Sequence, residues 1–125
     1  MRRFLPLAAL ALAVPAAAQD AKPLTLEQTM LLRCSAMFAV VAKEQERGVP
    51  AAGAYPPMQQ RGKEYFVRAG ARLMDELGLT PQQFAARVSV QVDALASEAR
   101  GAPDSKVYLA GVMQACLAAL DASGL

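Results

Sequence analysis

No histidine and no tryptophan occur among the 125 residues, and only two cysteines do. Without histidine the chain lacks the usual general base near neutral pH, the commonest zinc ligand and the imidazole of the standard nucleophilic triads. The two cysteines, Cys34 and Cys116, form no Cys-x-x-Cys, so nothing depresses a thiolate pKa in the manner of thiol oxidoreductases. A haem protein would need Cys-x-x-Cys-His or an axial histidine, and neither is present. No glycine-rich phosphate cradle follows a strand pattern, and no run of lysine or arginine occurs. The expectation is therefore a protein that is not an enzyme, carries no cofactor or metal and does not bind nucleic acid.

What the chain does have begins with a leader. Arg2 and Arg3 are followed by an apolar run over residues 4–14, then by Pro15 and the small residues Ala16, Ala17 and Ala18. This reads as a secretory signal cleaved after Ala18, with a mature chain from Gln19. The run is too short for a helix that crosses the hydrocarbon core. Phe4 and Leu5 follow the arginine pair directly, which favours the general secretory route over twin-arginine export. Arg2 and Arg3 leave with the signal, so the 13 Lys+Arg and 11 Asp+Glu of the full chain become equal in number. A neutral mature chain has no net pull toward phosphate backbones or anionic lipid. The expected location is the periplasm, with no membrane-spanning segment left after cleavage.

Four helical patterns follow, at about residues 26–47, 58–77, 81–100 and 105–122, making a single helical domain over 19–125. Thr25 with Gln28 and Thr80 with Gln83 have the capping-box spacing, and Pro81 stands where a helix needs no N–H donor. Leu26, Met30, Cys34, Met37, Phe38 and Val41 recur every three or four residues in the first pattern. Phe66, Ala69, Leu73 and Leu77 do so in the second, with Tyr65 and Met74 at the border. Phe84, Val88, Val92, Leu95 and Ala99 line the third. Leu109, Val112, Met113, Cys116 and Leu120 line the fourth. Gly62 and Gly70 weaken the second helix, yet their missing side chains would let a neighbour come close. Short connections make successive helices antiparallel neighbours, so the expected fold is an all-α, four-helix up-down bundle.

In such a bundle the start of helix one lies beside the end of helix four. Cys34 then sits ~12 Å from its end and Cys116 ~10 Å from its own, at the helical rise per residue. The depths match, and an exported chain can keep a disulfide. Two buried thiols acting as small hydrophobes are the alternative reading. The remaining candidates read blandly. Asp75, Glu76, Glu44 and Glu46 belong to a solvated outer face, as do Arg33, Lys63 and Glu64. Met30, Met37, Met58, Met74 and Met113 stand at core spacing and not in a copper-binding tract. Residues 48–57 form a loop, and Tyr55, Pro56 and Pro57 are its candidate interaction segment.

The segments Cys34-Ser35-Ala36-Met37-Phe38 and Val112-Met113-Gln114-Ala115-Cys116-Leu117 resemble those of small uncharacterised exported helical proteins of proteobacteria. The resemblance implies location and architecture and brings no activity. A fainter similarity is to periplasmic acid-stress chaperones, which also join two distant helices through a disulfide. Cys34 and Cys116 carry it, with a wider spacing and without strongly charged tails. Together these features point to a periplasmic interaction or binding module, related to stress or the envelope, whose partner is another envelope protein. The alternative is a small apolar-ligand or lipid-binding protein, motivated by the methionine- and leucine-rich core.

Overall fold

The computed structural model describes residues 22–125, so the leader and its cleavage site lie outside the described residues. Four helices make up the fold: α1 (Leu26–Glu46), α2 (Arg61–Leu77), α3 (Pro81–Gly101) and α4 (Ser105–Ala122). There is no strand among the described residues. A short 3₁₀ helix, Pro50–Ala54, lies in the α1–α2 connection.

The helix starts follow from local chemistry. In both capping boxes the threonine hydroxyl accepts the N–H of the glutamine three residues on, and that glutamine's side chain accepts the threonine N–H. Asp104, and not Ser105, caps α4, accepting the N–H groups of Lys106 and Val107 at 3.0 and 3.1 Å. Gly78 ends α2 in the left-handed region at φ 64, a conformation glycine takes without steric cost.

The burial of α1 is wider than the expected stripe. Leu32, Cys34, Ser35, Ala36, Met37, Phe38 and Val41 are all buried, and the consecutive run 34–38 covers the whole circumference of the helix. A helix buried all round is a central one, and α1 packs against α2, α3 and α4 alike. Its single buried polar side chain, Ser35, is satisfied by donating to the Leu31 carbonyl at 2.7 Å.

Two expectations change. Leu26, expected on the core face, is 81% exposed. The extended backbone at Thr25 brings Leu24 against the core in its place. The second helix starts at Arg61 and not at Met58. The Met58 N–H is taken by the Gln45 side chain at 2.9 Å and its own side chain is fully buried, which fixes residue 58 as a loop anchor.

On α2 the buried face is Gly62, Tyr65, Ala69, Gly70 and Leu73, with Phe66, Met74 and Leu77 partly covered. The glycines act as their lack of side chains suggested. A Cβ on Gly70 would stand 2.7 Å from Cε1 of Phe84 on α3, closer than packed carbons tolerate. Edge-to-face pairs lock this side, Phe38 with Tyr65 at 5.2 Å and Phe66 with Phe84 at 5.3 Å between ring centres. Outside, Arg72 pairs with Glu76 one turn on at 2.7 Å, and also reaches Glu27 on α1 at 2.7 Å. Glu64 and Arg68 make no ion pair among the described residues.

Candidate functional site

Cys34 and Cys116 are joined as a disulfide with Cα atoms 5.2 Å apart, tying α1 to α4 across 82 positions. They are 0% and 1% exposed, so neither sulfur can be attacked by an external thiolate unless the bundle opens. This placement makes the bond a structural staple. Beside it, Arg33 does more than decorate the surface. Its Nη2 donates to Glu98 Oε2 on α3 at 2.8 Å and to the Tyr108 hydroxyl on α4 at 2.7 Å, while Tyr108 donates to Glu98. The Arg33 and Tyr108 hydrogen bonds hold the Glu98 carboxyl below its ordinary value and so keep it ionised. An ion-paired carboxylate of lowered pKa is a weak proton acceptor, so the cluster braces three helices and is poorly suited to general-base work.

The loop candidates are placed by one side chain. Gln45, near the end of α1, donates through Nε2 to the carbonyls of Ala52 at 3.1 Å and Pro56 at 3.0 Å, with Tyr55 at 3.4 Å, and its Oε1 accepts from Met58. Gln59 adds a bond to the Ala42 carbonyl at 3.1 Å. The loop is thereby folded back along the end of α1. Pro56 and Pro57 stay exposed, while Tyr55 turns inward, half-buried against the core.

Tyr55 lines a cleft that three helices form together, with a volume of about 420 Å³. From α1 come Met37, Val40, Val41 and Glu44; from α3, Val92, Leu95 and Ala96; from α4, Lys106, Leu109 and Ala110. Ala51 of the 3₁₀ helix completes it. The walls are apolar apart from the Tyr55 hydroxyl, Glu44 and Lys106. Sequence reading found Tyr55 as a candidate and Met37, Val41, Val92, Leu95 and Leu109 as core. It left Glu44 on a solvated face and gave no role to Lys106, Ala96 or Ala110. The signal available for these was weak: small residues on the flanks of the α3 and α4 stripes, and one charge at a helix end.

Among the described residues no cluster of three or more His, Cys, Asp or Glu side chains could hold a metal ion, and no helix is long and apolar enough to cross a membrane. Comparison with protein-family models, with curated proteins and with solved structures finds no match.

Proposed function

We propose that the chain is an exported, non-enzymatic binding module of the periplasm, and that it holds a small apolar ligand in the cleft between α1, α3 and α4. The observation that carries this reading is the cleft itself. Its volume of about 420 Å³ lies within the range of small-molecule sites, and mostly aliphatic side chains line it with few polar groups among them. The leader pattern and the disulfide support the compartment.

The test uses a dye that fluoresces in apolar surroundings, N-phenyl-1-naphthylamine, with the cleft filled by mutation. Ala96 and Ala110 line the cleft yet are exposed, so Ala96→Phe and Ala110→Phe add volume there without entering the core. Both variants should keep the far-UV circular dichroism of the wild type and lose dye binding. Ala118→Phe, on an exposed part of α4 away from the cleft, should bind as the wild type does. Equal binding by all four proteins would refute the cleft as the site.

A second reading is contact with an envelope protein through residues 55–57. It is favoured by the exposure of Pro56 and Pro57 on a loop already held by Gln45, because a pre-ordered segment loses little entropy on binding. Crosslinking from residue 57 to a stoichiometric partner, with no effect of Ala96→Phe, would favour this reading over ligand binding.

A further inference from the structure

Two opposite charges line the cleft. Glu44 stands in the last turn of α1, and Lys106 in the first turn of α4. Glu44 follows Cys34 along α1 and Lys106 precedes Cys116 along α4, and the two residues come together in the lining of the one cleft. Neither takes part in an ion pair among the described residues, where the cationic partners are Arg33, Arg61 and Arg72. At the start of α4, Asp104 already accepts the N–H groups of Lys106 and Val107. Within the cleft a ligand's anionic group has the Lys106 ammonium to meet, with the Tyr55 hydroxyl as an uncharged donor, and its cationic group has Glu44.

We infer that the cleft's ligand is a single-chain zwitterionic phospholipid, its aliphatic chain between α1, α3 and α4, its ammonium at Glu44 and its phosphate at Lys106. The inference rests on the cleft being the binding site. A fatty acid would satisfy Lys106 but be repelled by Glu44, and an alkylamine would meet the reverse; only a head with both signs is attracted on both sides. The long apolar wall between these charges and the rest of the cleft suits a head carried on an aliphatic chain over a free α-amino acid. The volume of about 420 Å³ is low in the small-molecule range and suits one chain over two.

Three probes of equal chain length, a lysophosphatidylethanolamine, the fatty acid and the alkylamine, are used below their aggregation concentrations to displace N-phenyl-1-naphthylamine from the purified protein. The lysophospholipid should displace it at concentrations several-fold lower than either singly charged probe. Lys106→Ala should weaken the lysophospholipid about fivefold and leave the alkylamine no weaker, whereas Glu44→Gln should weaken the lysophospholipid and strengthen the fatty acid. Equal displacement by all three probes, or an order unchanged in both variants, would overturn the headgroup assignment while leaving the apolar cleft in place. Displacement by free leucine in preference to the lysophospholipid would overturn the lipid. Failure of the dye to bind wild-type protein at all would overturn the cleft reading, and the headgroup with it.

Discussion

The two sides of α1 are packed by opposite means. Toward α2 the contact is close: Phe38 of α1 packs edge-to-face on Tyr65, and behind it Gly70 and Phe66 of α2 take the Phe84 ring of α3, Gly70 leaving it the place a side chain would otherwise fill. A recess of about 260 Å³ lies between α1 and α2. Toward α3 and α4 the disulfide clamps α4 near its C-terminal end, but Lys106 lies ten residues, or roughly 15 Å of helix, from that clamp. There Ala96 and Ala110 leave the space between the helices unfilled, and the cleft of about 420 Å³ results. The contrast teaches that one central helix can serve both a rigid wall and a receptive one, provided a covalent bond holds the receptive wall at its far end.

Removing that bond tests the contrast hardest. Cys34→Ala with Cys116→Ala frees a segment of 82 residues in the unfolded chain and should cost about 4 kcal/mol of stability by the chain-entropy model. Urea unfolding of the oxidised wild type against the double variant measures it. Hydrogen exchange should show where the loss falls, with amides of α4 losing protection before those of α2. Uniform loss over both helices would mean that the two sides are not mechanically distinct.

The loop that lines the cleft depends on a single residue. Gln45→Ala leaves the carbonyls of Ala52 and Pro56 and the N–H of Met58 without their partner, and should cost about 2 kcal/mol. Limited proteolysis should then cut within residues 50–58, and dye affinity should fall because Tyr55 is no longer held in the cleft lining. A loop still resistant to protease would show that the fully buried Met58 anchors it unaided.

Much of this architecture was legible because it is decided locally or by simple counting. The caps at Thr25 and Thr80 depend on residues three apart, and the matched depths of Cys34 and Cys116 follow from helical rise alone. Gly70 also announced itself, since a glycine inside a helix is unfavourable unless something needs the space. The cleft was not legible, because it exists only where three helices and a loop converge. Glu44 is an ordinary surface glutamate in the α1 pattern and becomes part of the cleft lining only when α4 is laid beside it. Arg33 was hidden for the same reason: its partners Glu98 and Tyr108 lie 65 and 75 positions away. Leu26 misled in the other direction, because periodicity does not say at which turn a helix first meets its neighbours.

A paired substitution sharpens the account of the α2 side. Gly70→Ala gains helix propensity of about 1 kcal/mol, but its methyl would meet Phe84 Cε1 at 2.7 Å and Cζ at 3.0 Å, in a ring held by Phe66. Overpacking should outweigh the gain and leave a net loss of about 1 kcal/mol. Gly111→Ala, in the middle of α4 with nothing within 4 Å of the added carbon, should instead stabilise by up to about 1 kcal/mol. Thermal melts of the two variants should move in opposite directions. Stabilisation by both would show that Phe84 can swing aside and that the α2 wall is softer than its aromatic pairs imply.

The smallest effects separate the polar braces of the two sides. Arg72 links Glu27 and Glu76 on the α2 side, with 44% of its side chain exposed, whereas Arg33 links Glu98 and Tyr108 on the other with only 21% exposed. All three carboxyls are held below the ordinary value of 4.5, each by hydrogen bonding to its arginine first. A carboxylate whose pKa is lower folded than unfolded contributes stability that is present above the unfolded value and is lost as pH falls through the folded one. Glu98→Gln should therefore cost about 0.5 kcal/mol at pH 7, and the difference from wild type should shrink below pH 4.5 and vanish in stronger acid. Glu76→Gln should follow the same pH course, but its effect should disappear at 1 M salt, where exposed charges are screened within about 3 Å. The Glu98→Gln effect should survive that salt in part, because Arg33, with less than half the exposure of Arg72, is less open to the screening ions. Equal salt sensitivity of the two variants would place both braces in solvent and remove this distinction between the sides.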